Sequence, residues 1–329
     1  MTSTPKIVAG VKVPPGHAAS LPIAVAWSRW LVAAMLLVAC AHVVGLPALT
    51  PEAVLIISGI GLIAGLPHGG VDHLLAMRLT GRPVTVVVAG YAAVAALAWA
   101  ILQWAGPIAL AVVVALSALH FGLGELEVTR ELTGWRPGRL TTTAIVIAGS
   151  GALVLPLARS GEQFNAVATA VSPGLAELIG AAPVRTGLLI GWLVSAAVAV
   201  KAALLAGRRG SALDVILIGA LGLLAPPLAA FAVWFGGWHS LRHSARMLTR
   251  DPGCATLLAQ GLRKAAGLRL ARLAAPMSVA ALATVIALGW LTVTAPDPDA
   301  VLAAVLRLLL ALTVPHMLVV MWLDIRRDA

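Results

Sequence analysis

Seven of the chain's eight histidines, His42, His68, His73, His120, His239, His243 and His316, stand in or at the ends of strongly apolar segments; His17 lies in the N-terminal tail. An ionisable ring is costly at such depth, so its first reading is a functional group turned toward the protein interior. His239 and His243 are four residues apart in WFGGWHSLRH. On a helix that spacing places both rings on one face, as a chelating pair requires. Asp72 follows His68 by four residues in GLPHGGVDH, which predicts a carboxylate on that histidine's face. A carboxylate that fixes the tautomer through the other ring nitrogen is the usual companion of a metal-bound imidazole. His73, five residues after His68, is turned away from it. Four neutral imidazoles, from His68, His120, His239 and His243, suit iron, copper, zinc or nickel and leave the ion its full charge. His316, preceded by Pro315, and His73 are further candidates. The alternative for a lone intramembrane histidine is a hydrogen bond to a neighbouring helix, which is the reading for His42.

The elements that hold these groups follow from composition. Of 329 residues, 60% are hydrophobic and only 11% charged, and the mean hydropathy is +0.98. Soluble domains carry roughly 25% charged residues, and disordered chains are poor in apolar ones. Both classes are excluded. The net charge of +10 comes from Lys and Arg scattered between apolar runs, with no stripe that would mark a nucleic-acid partner. Cys40 and Cys254 are far apart and form no Cys-x-x-Cys pair. The chain reads as all-α, a polytopic transmembrane helix bundle: a cytoplasmic tail over 1–22 and one membrane domain over 23–329.

A hydrocarbon core of about 30 Å needs roughly 20 helical residues. Ten spans are predicted, at 23–46, 52–77, 84–105, 107–124, 140–158, 186–206, 211–225, 227–249, 271–294 and 299–323, the seventh being short. With the N-terminus inside, 20 of the 23 Lys and Arg residues fall on the cytoplasmic side, as the positive-inside rule requires. Both ends are then cytoplasmic. Dropping the seventh span would put the most basic connection outside.

This topology sets depth. Spans two, four, eight and ten run inward, and His68, His120, His239, His243 and His316 each lie seven to eleven residues before a basic flank, roughly 10–17 Å of helix. Five histidines therefore share one layer, and His42 lies near the outer end. Glycines 59, 61, 65, 69, 70, 122 and 124 indicate close helix packing and room beside a metal. Trp234 and Trp238 read as packing rather than as a lining for a polyene. Arg242 reaches for the surface or an acid, and Arg307 snorkels outward. An open, all-nitrogen iron site in lipid suggests O2 chemistry on an apolar substrate that enters from the bilayer; zinc would suggest hydrolysis.

PHGGVDH at 67–73, SALHFG at 117–122, WHSLRH at 238–243 and PHM at 315–317 resemble the motifs of the Brp/Blh family of bacterial and archaeal β-carotene 15,15′-dioxygenases. The resemblance runs from about residue 55 onward. It implies a multi-pass cell-membrane enzyme with non-haem Fe2+ that splits the central double bond of β-carotene with O2, giving two retinal molecules. The family's iron ligands carry over to His68, His120, His239 and His243, and its conserved acid to Asp72; His73 and His316 match positions often occupied in relatives. An opsin is a candidate acceptor of the product. Two positions depart from the family pattern: Gly70 where Ala is usual, and Glu125 where an Asp often follows HFG. Competing readings are a b-type haem electron carrier, a di-iron desaturase or hydroxylase, and a histidine-lined transporter.

Overall fold

Proline, glycine and short polar residues divide the chain into helices. The computed structural model describes residues 20–41, 45–159, 169, 171–293 and 298–328; His42 and residues 1–19 of the tail lie outside the described residues. Among the described residues there is no strand. The helices are α1 (Ser20–Cys40), α2 (Pro51–Gly65), α3 (Asp72–Thr80), α4 (Val84–Trp104), α5 (Gly106–Thr133), α6 (Arg139–Gly149), α7 (Gly151–Arg159), α8 (Pro173–Gly180), α9 (Ala182–Leu205), α10 (Arg209–Leu224), α11 (Pro227–Trp234), α12 (Leu241–Arg250), α13 (Pro252–Ala259), α14 (Arg263–Val293) and α15 (Pro298–Asp328).

Local chemistry sets these bounds. Thr50 caps α2, its hydroxyl accepting from the Ala53 N–H at 3.3 Å, and Pro51 follows at the first helical position, where its missing N–H costs nothing. Gly81 and Gly134 close α3 and α5 in the left-handed region, at φ 68° and 66°. Each donates its N–H back to the helix at 2.8 Å, the αL cap that glycine adopts without a Cβ penalty.

Among the described residues, seven helical segments are long and apolar enough to cross a membrane, or eight if α6 and α7, bent by 60°, form one span. Side chains such as Trp104, Leu37 and Trp290 are 86%, 75% and 74% exposed, as a lipid-facing surface requires. The other two of the ten expected segments are helical but do not fit a simple span. α10 has 16 residues, about 24 Å of helix against a core of about 30 Å. Segment 227–249 joins the apolar α11 to α12, whose Arg242, His243, Arg246 and Arg250 give it a polar face.

Those arginines are not a loop charge. α5, with 28 residues, runs past the apolar stretch and lays its acids along α12. Arg242 meets Glu125 at 3.0 Å, Arg246 meets Glu131 at 3.2 Å, and Arg250 meets the same Glu131 at 2.9 Å. Arg242 and Arg246 are buried, so these two count for the interior and add little to the cytoplasmic excess.

Two glycines set a close crossing between α2 and the end of α11. A Cβ on Gly61 of α2 would collide with the Ala232 backbone, and one on Gly236, just after α11, with the Gly61 backbone. Around this contact Val32, Met35, Trp234 and Trp238 form a core with α2, α10 and α11.

Candidate metal centre

The two histidine-bearing segments of this crossing are both irregular. α2 tightens into a 3-10 turn over Leu66–Gly69, as Pro67 and three nearby glycines allow. α11 passes into α12 through a π-helical turn over Phe235–Ser240. There the Ser240 hydroxyl donates to the Phe235 carbonyl at 2.6 Å and to Gly65 at 3.3 Å, stitching one irregular turn to the other. Such π turns concentrate at functional sites.

Five imidazoles meet between them. Ring centres lie 4.7 Å apart for His68 and His316, 4.9 Å for His120 and His316, and 5.4 Å for His68 and His239, His120 and His239, and His243 and His316. The chelating pair His239 and His243 stacks at 6.1 Å. All five residues are buried. They come from the turn after α2, from α5, from the π turn and α12, and from α15, the same four segments that depth placed in one layer.

The donor set fits a divalent ion. The Nε2 atoms of His120, His239, His243 and His316 are buried without a hydrogen-bond partner, an expensive state for a polar atom unless something binds there. The ligand nitrogens of His68, His239 and His316 lie within 4.8 Å of one another. Imidazole nitrogens sit about 2.0–2.1 Å from zinc, which puts neighbouring ring centres about 4.5–5.2 Å apart; most of the observed separations fall close to that. His316 meets His68, His120 and His243 edge to face, a convergence of rings on one point rather than an opposed axial pair.

One expectation needs correction. Asp72 does not serve His68. The 3-10 turn and the Val71 junction, at φ −100° and ψ 0°, break the helix between them, so a four-residue spacing no longer means one face. His68 instead donates from Nδ1 to the Gly65 carbonyl at 2.5 Å. The Asp72 carboxylate accepts from His316 Nδ1 at 2.8 Å and from the Tyr91 hydroxyl at 3.1 Å. His316 is thus a full member of the cluster and as tightly placed as His68. His73 lines the adjoining cavity but makes no ring contact with the five. Arg307, near the outer end of the tenth expected span, donates to the Val171 carbonyl of the 159–185 connection at 2.9 Å.

Other residues follow the sequence more closely. Trp234 and Trp238 are fully buried in packing, Trp234 stacked on His239 and Trp238 donating to Glu125 at 2.8 Å. Arg242 finds two acids, Glu125 and Asp214, and lies 3.5 Å over the Trp238 ring. Glu125 therefore has a structural reason to be longer than Asp: it spans from α5 to both Trp238 and Arg242. Gly70 has one as well, since a methyl there would come to 2.7 Å of the Ala274 carbonyl of α14. Gly69 and Gly124 leave only van der Waals room beside His316 and His239.

A cavity of about 710 Å3 opens beside His68 and His316, within the roughly 300–1,000 Å3 of small-molecule sites. Its walls are apolar, with Phe121, Phe231 and Phe235 near the rings and Met277, Ala281 and Leu309 farther along. Tyr91 also lines it. Tyr91 carries no motif and is absent from the sequence-derived candidates; the signal available was that it is the chain's sole tyrosine, set inside an apolar helix. Asp214, a lone acid in a short apolar segment, carried a similar signal.

The family model described as Beta-carotene 15,15′-dioxygenase matches residues 60–324 of the chain. The chain is 31% identical over 295 residues, 80% of its own length and 82% of the relative's, to a protein of Halobacterium salinarum named Probable beta-carotene 15,15′-dioxygenase Blh. No solved structure matches.

Proposed function

The chain belongs to the β-carotene 15,15′-dioxygenase family, and from that premise we propose that it is an integral-membrane, non-haem iron enzyme that splits the central double bond of β-carotene. One O2 is consumed, and the 15,15′ C=C is exchanged for two C=O groups in two retinal molecules. The observation that carries this reading is the conjunction of five buried imidazoles, four of them with an unpartnered Nε2, with one long apolar cavity.

His68, His120, His239 and His243 would hold Fe2+, with His316 beside them. Bound there, the iron would supply the activation of O2 that the polyene alone lacks. The chain supplies positioning. His68 spends its Nδ1–H on the Gly65 carbonyl, which leaves Nε2 as the lone pair facing its neighbours. Phe121, Phe231 and Phe235 form an aromatic wall at the cluster end of the cavity that excludes water and holds the polyene in register. No side chain is required as a general base, because no proton moves in the overall exchange.

We further propose ten spans with both termini cytoplasmic, a single membrane domain over 23–329, multi-pass residence in the cell membrane, and entry of the carotenoid from the surrounding lipid. The charge distribution and the exposed apolar flanks support this. An opsin is a candidate acceptor of retinal.

Expression in carotene-producing cells tests the function. Orange colour is lost and retinal appears with the wild type, and neither happens with His120→Ala or His239→Ala. Unchanged carotene with an iron-loaded wild type overturns the proposal.

A further inference from the structure

Four carboxylates are buried near the middle or cytoplasmic end of the bundle: Asp72, Glu125, Asp214 and Asp251. Three are balanced by guanidinium groups, Glu125 by Arg242, Asp214 by Arg29 and Arg242, and Asp251 by Arg78 and Arg269. Asp72, 1% exposed, touches neither arginine nor lysine among the described residues. Its partners are an imidazole and a phenol, both on Oδ2, while Oδ1 is buried without a partner. With no guanidinium beside it, Asp72 is held in the interior through these two partners.

We propose that Tyr91, Asp72 and His316 form a positioning chain that makes His316 a fifth imidazole ligand of the metal centre. This deepens the functional reading above and rests on it for the identity of the ion. The geometry is directional. Because His316 gives its Nδ1–H to Asp72 at 2.8 Å, the ring's Nε2 carries the free lone pair, and that atom is buried and unpartnered. It belongs to a ring with His68, His120 and His243 all within 5.4 Å of it, centre to centre. The divalent ion then supplies the positive charge that Asp72 lacks, relayed through the imidazole, which is the physical role of a carboxylate behind a metal-bound histidine.

Tyr91 fixes the carboxylate. Its hydroxyl donates to Asp72 at 3.1 Å while its ring forms part of the cavity wall. One side chain therefore joins the wall of the substrate cavity to the group that orients His316. Sequence spacing pointed Asp72 at His68; the broken helix redirects it to a residue 244 positions away.

The test uses the full-length detergent-solubilised protein and Co2+ alone, read by its visible ligand-field spectrum and by its dissociation constant. His316→Ala weakens Co2+ binding at least tenfold and alters the spectrum, Asp72→Asn weakens it 10- to 100-fold, and Tyr91→Phe shifts the spectrum with less than a tenfold loss of affinity. Thermal unfolding of the metal-free variants shows that each is folded, and His316→Gln, closer in volume, repeats the first arm. Wild-type spectrum and affinity in both His316 variants, with binding lost in His239→Ala, overturn the assignment. Retinal formation is scored separately in the wild type, so failure of the proposed activity would leave the metal readout intact.

Discussion

The imidazole layer has two flanks, each with buried carboxylate, and they treat that charge in opposite ways. On the flank of α1, α10 and α12, Glu125 accepts from Trp238 and Arg242, Asp214 accepts from Arg29 and Arg242, and Ser28 accepts from Arg242, and a void of only about 20 Å3 lies beside them. On the flank of α4, α14 and α15, Asp72 has no guanidinium and faces a space of about 710 Å3. The closed flank spends its ion pairs on rigidity. The open flank leaves its carboxylate to act through His316, on the side that a substrate can reach. α1 belongs to the closed flank: it lies before residue 60, where the family match begins, and Ser28 and Arg29 complete the network behind the histidine cluster.

The largest effect should come from the layer both flanks share. His239→Ala removes a ring that contacts His68, His120 and His243, and retinal formation in carotene-producing cells is expected to fall below detection, at least 100-fold. Iron content of the purified protein should fall with it. Retained iron with lost activity would move His239 from ligand to substrate contact.

Next comes the closed flank alone. Arg242→Met leaves Glu125 and Asp214 buried with part of their counter-charge gone, a loss of about 3–5 kcal/mol by precedent for broken buried pairs. The unfolding midpoint in detergent should drop sharply. Adding Glu125→Gln should recover part of it, because fewer charges are then left unpaired. If Arg242→Met is as stable as wild type, the two flanks do not differ in the way described.

The open flank predicts the reverse pattern, with function altered and stability spared. Ala281→Trp places an indole in the cavity from α14, and none of Glu125, Asp214 and Arg242 lines that cavity. Turnover of β-carotene is expected to fall about 10-fold, in the range that one misfit in an apolar pocket commands, with less effect on a shorter carotenoid and an unfolding midpoint close to wild type. Competition between carotenoids of two lengths measures it.

How far the sequence reaches differs between the flanks as well. Hydropathy and the positive-inside pattern were enough to put five histidines at one depth, because depth depends only on helix rise and direction. The rings do meet. The partner of Asp72 was not legible, since it depends on a 3-10 turn and a non-helical junction at Val71 that disrupt the four-residue rule. Tyr91 was not legible either; it reaches Asp72 from another helix, and periodicity says nothing about which helices are neighbours. The acids that face Arg246 and Arg250 were not legible for a related reason: a basic stripe at helical spacing looks the same whether water or the acids of α5 faces it.

The smallest effect calibrates the comparison with a third carboxylate, at the margin of the bundle. Asp251 caps α13 through the Cys254 N–H at 2.8 Å and meets Arg78 at 2.6 Å and Arg269 at 3.0 Å. Burial alone would push its carboxyl up, but the hydrogen bonds from Arg78, Cys254 and Arg269 hold it well below the usual carboxylate range. A carboxylate with a depressed folded-state value stabilises the fold at pH values above its unfolded one, about 4, and that stability is lost as pH falls from there through the folded value. Both arginines are more than one-third exposed, at 43% and 46%, so solvent screens each pair to below about 1 kcal/mol. Asp251→Asn keeps a capping side chain and removes only the charge. Its unfolding midpoint should therefore lie slightly below wild type at every pH from 8 to 5, and the gap should begin to close only below about pH 4. A gap as large as that of Arg242→Met would mean that the margin of the bundle is as dry as the closed flank, and a gap that closes between pH 8 and 5 would assign the effect to another group.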